Sequence, residues 1–362
     1  MRAPALLVSA LLACAACDAP APAPLARAPL AALASRASEI AARLRAQLAE
    51  AALAPPPLGD ELPTTLEAQR ARLFEVLRAH LDLPEAALAE LRRIISGSPV
   101  ISQGLPKVTR HPLSRSECIA RRRAAGLADR RDRGRCGHPY MAPLFDPGRG
   151  QTESDATACI DRFEFPNVPC EYPVTWVSAR EAALACTALG KRLCDAHEWE
   201  GACAGALRPV EDEYPFGNTR ATMQLYHNRD REIRWAYGPK KDMSRCATDS
   251  TKSDGCVASG FTCGTNSYPA GSFPECVSPF GVYDQHGNVA EHMNLPRRRS
   301  ELSGEGGMGE TEMKGSWFIF ARYEAHIDDC RWRAPSWHAS RVMAAHSHLN
   351  YHLGFRCCAT VK

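Results

Sequence analysis

The chain lacks any apolar run approaching the roughly 18 residues of a membrane span, which excludes a multispanning membrane protein. It lacks the paired C-x-x-C knuckles of zinc ribbons and iron–sulfur proteins. No phosphate-binding glycine loop, no Ser/His/Asp arrangement and no repeat of fixed period stands out. Neither charge sign dominates: the formal net charge is +3 over 362 residues, too small to argue for nucleic acid. What is present is 45% hydrophobic and 23% charged, ordinary for a globular protein with a core. Sixteen cysteines stand out against that background. With metal-cluster motifs missing, they point to an oxidising compartment and a disulfide framework.

The N-terminus agrees. Arg2 precedes a short apolar run, Ala5-Leu-Leu-Val-Ser-Ala-Leu-Leu-Ala13, with small residues after it, as in a secretory signal. Leu11-Leu12-Ala13-Cys14 resembles a bacterial lipobox, and Cys17 is the rival acylation position. Several acyl chains on one cysteine would anchor stably where a single chain would not. Residues 1–17 are therefore read as a lipoprotein-type signal and 18–32, rich in Ala and Pro, as a tether. Setting Cys14 and Cys17 aside leaves fourteen cysteines, enough for seven bridges.

Residues 33–98 carry three amphipathic helical patterns. Ile40, Leu44 and Leu48 mark the first, stopped by Pro55-Pro56-Pro57. Thr64-x-x-Glu67 is a capping box opening the second, with Leu66, Leu73, Leu77 and Leu81 on one side. Pro84 suits a first helical position of the third, followed by Leu88, Leu91 and Ile95. A basic connector fills 99–135. Ten Lys/Arg face Glu117, Asp129 and Asp132 between 107 and 135, so the rest of the chain is net acidic. This arm reads as a solvated segment, with Cys118–Cys136 as one way to close it, or as a contact for an anionic envelope surface.

Beyond residue 136 lie twelve of the cysteines, among Gly/Pro/Asp loops. Ser178-x-x-Glu181 and Asp195-x-x-Glu198 are capping boxes for two short helices. Val174-Thr-Trp-Val177 and Trp317-Phe-Ile-Phe320 read as brief strands. The expected class is α+β with little regular structure, stapled by disulfides.

Seven short motifs follow one another here: Cys159-Ile-Asp-Arg-Phe-Glu-Phe-Pro-Asn167, Gly190-Lys-Arg-Leu193, Glu198-Trp-Glu200, Tyr214-Pro-Phe-Gly217, Gly281-Val-Tyr-Asp-Gln-His-Gly-Asn-Val-Ala-Glu291, Lys314-Gly-Ser-Trp317 and Gly354-Phe-Arg-Cys357. Their order and spacing resemble the formylglycine-generating enzyme family, the sulfatase-modifying-factor domain. The resemblance covers about 136–362. It implies an irregular relative of the C-type lectin fold, preceded here by the small α-helical segment.

The resemblance also assigns residues. The family bridge between the helix before Gly-Lys-Arg-Leu and the final Gly-Phe-Arg-Cys falls on Cys186 and Cys357. Cys203 matches a second bridging cysteine; its usual partner is Ala334 here, and Cys330 is the nearest replacement. Cys194 stands at a family Pro, which suggests Cys159–Cys194, while Cys246, Cys256, Cys263 and Cys276 pair among themselves. A structural calcium site falls on the side chains of Asp284 and Glu291 and the carbonyls of Gly287 and Val289, hard oxygen ligands that suit the ion. A second calcium position begins at Asn228 but has Ser259 where a carboxylate belongs, so no ion is expected there.

The family oxidises a substrate cysteine with copper held by two thiolates, ligands that suit Cu(I). Those positions fall on Ile319 and Asp329. His292 replaces a family Trp. The resulting reading is an exported lipoprotein of the bacterial cell envelope. Its calcium-stabilised domain is a binding or scaffold module for a peptide or glycan, without the copper thiol pair and without a nucleic-acid partner. The alternative is a metal-dependent oxidase or protein-modifying enzyme using iron or copper, with His346, His348 and Cys330 as its candidates. His346 and His348 would share one face of a strand.

Overall fold

The structure is a computed structural model that describes residues 58–128, 131, 133–257, 261–335 and 339–361. The expected signal, the acylation candidates Cys14 and Cys17, the tether and the first amphipathic helix lie outside the described residues. None of the helices in the described residues is long and apolar enough to cross a membrane.

Two helices open the described chain. Helix α1 spans Leu66–Leu81 and α2 spans Glu85–Gly97. The cap of α1 is Thr65, whose hydroxyl accepts the Ala68 N–H at 3.1 Å, one residue later than the expected Thr64. Pro84 is likewise the N-cap of α2 rather than its first helical residue. The stripes Leu73/Leu77/Leu81 and Leu88/Leu91/Ile95 are buried as the periodicity requires, joined by Phe74, Val76 and Ile94.

The basic connector is not a solvated arm. It holds a helix, α3, Arg115–Ala124, with a complete Ser114/Glu117 capping box. Cys118 is bonded to Cys170, not to Cys136. Arg115 is buried against Glu171, at 2.9 and 2.6 Å. Arg122 is buried too; its guanidinium lies 5.0 Å from the Phe163 ring and 4.5 Å from the Tyr283 ring, and it donates to the Gly271 carbonyl. Arg121 and Arg123 stay exposed. The helices and the cysteine-rich domain therefore share one apolar core, in which Leu77, Leu91 and Cys118 join Phe163, Val168, Ala182 and Phe355.

Two small sheets carry the rest. Strands β1 (Met141–Leu144), β2 (Ala158–Asp161), β3 (Arg192–Leu193) and β7 (Cys357–Thr360) form an antiparallel sheet of order β1-β2-β7-β3. Strands β4 (Ala290–Leu295), β5 (Glu310–Lys314) and β6 (Leu353–Phe355) form the second, with β4 central, antiparallel to β5 and parallel to β6. Helices α4 (Ala179–Ala188) and α5 (Ala196–Ala204) begin at the expected boxes, Ser178/Glu181 and Asp195/Glu198. Helices α6 (Val210–Glu213) and α7 (Arg220–Asp230) follow. The expected strands 174–177 and 317–320 do not form. The first makes a single bridge, Thr175 to Ser102, and the second is a turn with Phe320 N–H bonded to the Trp317 carbonyl. Their side chains are apolar because the loops are buried, not because they pleat.

Every cysteine from Cys118 onward is in one of seven bridges. Cys186 is joined to Cys357 and Cys203 to Cys330. The expected Cys159–Cys194 pair is replaced: Cys159, on β2, joins Cys136 in the turn that precedes β1, and Cys194 joins Cys358. Cys246–Cys276 and Cys256–Cys263 close the long insertion on itself. Cys186–Cys357 and Cys194–Cys358 span 171 and 164 residues and close nearly the same loop. Their entropic effects therefore overlap. With one in place, the other closes only a short extra loop of about ten residues, worth about 2–3 kcal/mol. Replacing Cys186 and Cys357 by Ala should lower the unfolding free energy by about that amount in chemical denaturation. Removing both bridges should cost more than twice as much, about 7 kcal/mol, because the second loss frees the long loop.

Candidate functional site

The short motifs meet in the interior. Lys191 pairs with Asp161 at 2.5 Å, and Arg192 with Glu198 at 2.5 Å. Trp199 donates its indole N–H to Glu291 at 3.1 Å. Glu291 accepts both arms of Arg356, each at 2.7 Å. Glu200 accepts from Lys314 at 3.1 Å and from Arg333 at 2.9 and 3.1 Å. The Lys191, Glu200, Glu291, Lys314, Arg333 and Arg356 side chains in these pairs are at most 3% exposed.

The segment 281–291 is folded by backbone needs. Asp284, Gly287 and Asn288 have positive φ, at 59°, 84° and 54°. A side chain at Gly287 would place its Cβ 2.6 Å from the Ala247 carbonyl oxygen. Asn288 tolerates its left-handed backbone because its amide is used three ways: its main-chain N–H donates to Ala247, its Oδ1 accepts from Tyr268, and its Nδ2 donates to Glu164. Gly287 N–H donates to Ser316 Oγ at 2.9 Å, which fastens the Lys314–Trp317 turn to this segment.

The expected calcium ligands lie in this region, and the structure divides them. Asp284 and Glu291 are buried near Glu164. Glu291 has both oxygens taken by Arg356, so its carboxylate is not offered to another cation. Asp284 accepts the Gly271 N–H, and burial pushes its carboxyl up to about 6. Burial, with the charge of Asp284 next, raises Glu164 well above the usual carboxylate range. Three buried acids thus face one directly bonded guanidinium. At the second calcium position, Asn228 is committed to the Arg333 backbone, accepting its N–H and donating to its carbonyl, each at 2.9 Å. Ser259 lies outside the described residues.

The thiolate positions hold no thiolate. Ile319 is an aliphatic side chain, 7% exposed. Asp329 is clamped by Arg231 at 2.8 to 3.1 Å. Cys330, the candidate catalytic thiol, is consumed in the bridge to Cys203. His346 and His348 are not on a strand: His346 is exposed in a turn, and neither belongs to a three-ligand group among the described residues. His292 is buried on β4 and donates to the Val177 carbonyl at 3.0 Å.

What surrounds Ile319 instead is aromatic. Trp317 stacks on His352 at 4.5 Å and meets Phe320 edge-on at 5.2 Å. Phe320 lies 5.1 Å from His326, which stacks on Trp332 at 4.8 Å. Tyr351 closes on His352 at 4.8 Å. Tyr323, bonded through its N–H to the Ile319 carbonyl, is 65% exposed. The sequence reading missed His326, Trp332 and Tyr351. The available signal was the aromatic density at 317–323, of which 317–320 was assigned to a strand.

Removing the guanidinium at 356 would strand Glu291 in the interior. Arg356→Met is expected to cost about 3–5 kcal/mol in chemical denaturation, the usual result of breaking a buried pair from one side.

The model of the sulfatase-modifying factor enzyme 1-like domain matches residues 150–361. A comparison with curated proteins gives no match. Among solved structures, the "Major Tropism Determinant I1 Variant" is similar at 14% identity and a TM-score of 0.24. That alignment covers 51% of this chain and 37% of that one, and at so low a score it carries no argument. The family model spans more than half of the chain, and the seven short motifs lie within the matched residues. The chain belongs to the sulfatase-modifying-factor family.

Proposed function

We propose that this domain is an extracytoplasmic binding module that has exchanged copper chemistry for an aromatic ligand face. The observation that carries this reading is the fate of the two thiolate positions. One is Ile319; at the other, Asp329 is paired with Arg231 and its neighbour Cys330 is locked in a disulfide. Soft copper has no thiolate pair to hold it there. Half-buried His326 and Trp332, with exposed Tyr323 nearby in sequence, are the rings a ligand would reach, and buried Trp317 and Phe320 back them from the core. Such faces suit a sugar ring or a peptide side chain. Seven bridges fit a chain folded in an oxidising compartment. Acylation at Cys14 or Cys17 would hold it at the envelope, with exposed Arg121 and Arg123 available to an anionic surface.

The copper reaction and the binding role separate experimentally. Full-length protein supplied with Cu(I), oxygen and a cysteine-bearing peptide should form no peptide aldehyde by mass spectrometry; copper-dependent aldehyde would overturn the proposal. On arrays of envelope glycans and peptides, wild type should retain a ligand that Tyr323→Ala loses, with an unchanged melting temperature. If no ligand is retained, or if Tyr323→Ala binds as wild type does, the ring face is not the site.

We also propose calcium at the acid cluster. The support is the surplus of the three buried carboxylates of Glu164, Asp284 and Glu291 over the buried guanidinium groups of Arg356 and Arg122, which a divalent ion would offset. Asp284 and the Gly287 and Val289 carbonyls would be the ligands, with Glu291 remaining on Arg356. Calcium at about 100 times its dissociation constant would add about 2.7 kcal/mol. Because the folded-state proton affinity of Asp284 is raised, the cluster loses stability as pH rises from its unfolded value near 3.8 through about 6. Calcium should therefore raise the melting temperature at pH 7 and have little effect at pH 4. Asp284→Asn should abolish the response. Identical melting of wild type with calcium and with chelator at pH 7 would show that protonation alone settles the charge.

A further inference from the structure

His286 stands beside the Cys203–Cys330 bridge. Its Nε2 is 3.3 Å from Sγ of Cys203 and 3.8 Å from Sγ of Cys330. The three atoms lie within 4.8 Å of one another, close enough to share one ion, and all three residues are buried. The neighbours fix the tautomer. Ala236 N–H donates to Nε2 at 3.0 Å, so the lone pair is on Nε2 and the proton on Nδ1. Nδ1 is a buried nitrogen without a hydrogen bond, and it faces Asp328 Oδ2 at 3.8 Å. Asp328 is itself held by Ser316 Oγ and the Trp235 indole, each at 3.1 Å. A disulfide needs neither an imidazole lone pair beside it nor a carboxylate behind that imidazole. A metal-ligating histidine needs both.

We propose that reduction of the Cys203–Cys330 disulfide opens a Cys₂His metal site, completed by His286 and oriented by Asp328. Two thiolates and an imidazole select zinc or copper(I) over calcium or magnesium. The step balances with a dithiol as reductant. Two electrons pass to the protein disulfide, the S–S bond breaks to two thiols, and the dithiol becomes a cyclic disulfide. Metal binding then releases both thiol protons to solvent and displaces the Ala236 N–H from Nε2. The site shares Cys330 with the reading above but takes neither Ile319 nor Asp329 as a ligand, and it exists only when the bridge is reduced. It makes this bridge redox-dependent: a covalent staple when oxidised, a metal staple when reduced.

Residue-resolved alkylation tests this without interference from the other cysteines. Full-length oxidised protein is titrated with dithiothreitol, with or without Zn²⁺, then alkylated, digested and analysed by mass spectrometry. The expected result is a folded state in which Cys186–Cys357 stays oxidised while zinc slows alkylation of both Cys203 and Cys330 at least tenfold. His286→Ala should abolish the protection. Asp328→Asn should keep the fold and weaken zinc affinity roughly 10–100-fold, the usual effect of losing the partner of a ligating histidine. Near-UV circular dichroism reports whether each variant is folded, and if His286→Ala is not, Asp328→Asn decides. Three results would overturn the proposal. Zinc could leave both alkylation rates unchanged. Protection could be the same in whichever folded variant decides as in wild type. Cys203–Cys330 could open only together with Cys186–Cys357, so that no folded reduced state exists.

Discussion

The structure depends on a chain of buried charges that runs through nearly all the short motifs. Asp161 holds Lys191, Arg192 holds Glu198, Glu291 holds Arg356, and Glu200 holds both Lys314 and Arg333. Trp199 links the segments by donating to Glu291 from between the two acids of its own motif. A domain with few and short strands has little ladder hydrogen bonding to fix its topology. These pairs supply that specificity, since each is stable only when its partner arrives from a distant segment. Buried ion pairs add little net stability over apolar packing, so the energy must come from elsewhere. The shared apolar core and the seven bridges provide it.

That division of labour explains what the sequence made legible. Capping boxes are local, and Ser178/Glu181 and Asp195/Glu198 start helices where their spacing says. Apolar stripes are local too, hence the buried faces of α1 and α2. Cys186–Cys357 was readable only through resemblance, because spacing alone does not encode pairing. Cys159 shows the limit: its partner is Cys136, which the charge pattern had drawn into the basic connector. The same pattern hid Arg115 and Arg122. A run of arginines looks solvated until Glu171 and the Phe163 and Tyr283 rings are placed beside two of them. The turn at 317–320 was misread for a related reason. An apolar run signals burial, and only the tertiary contacts decide whether the buried backbone is strand or turn.

The candidate site was legible by subtraction. Position counting placed an aliphatic and an acid where thiolates would stand, and the geometry gives each another task. Asp329 is spent on Arg231, and Ile319 is buried in an apolar cluster with Trp317, Phe318 and Phe320. The histidines followed a different logic from the one their spacing suggested. His346 and His348 drew attention as a closely spaced pair, yet a turn separates them from any ligand group. His286 sat unremarked inside a calcium-type motif, although its imidazole meets both sulfurs of a bridge. That contact joins residues from three separate segments, which no local pattern encodes.

Cys330 ties these observations together. A thiol at this point of the fold has two mutually exclusive uses, as a ligand or as half of a disulfide. Pairing with Cys203 stabilises the core and leaves no free thiolate at Cys330. Cys330 lies one residue beyond the second of the family's thiolate positions, and here it is half of a bridge. The position serves stability, and Trp317, Phe318, Ile319 and Phe320 are buried in an apolar cluster. The disulfide and the buried rings are thus two parts of one packed interior, held on one side by a covalent bridge and on the other by apolar contact.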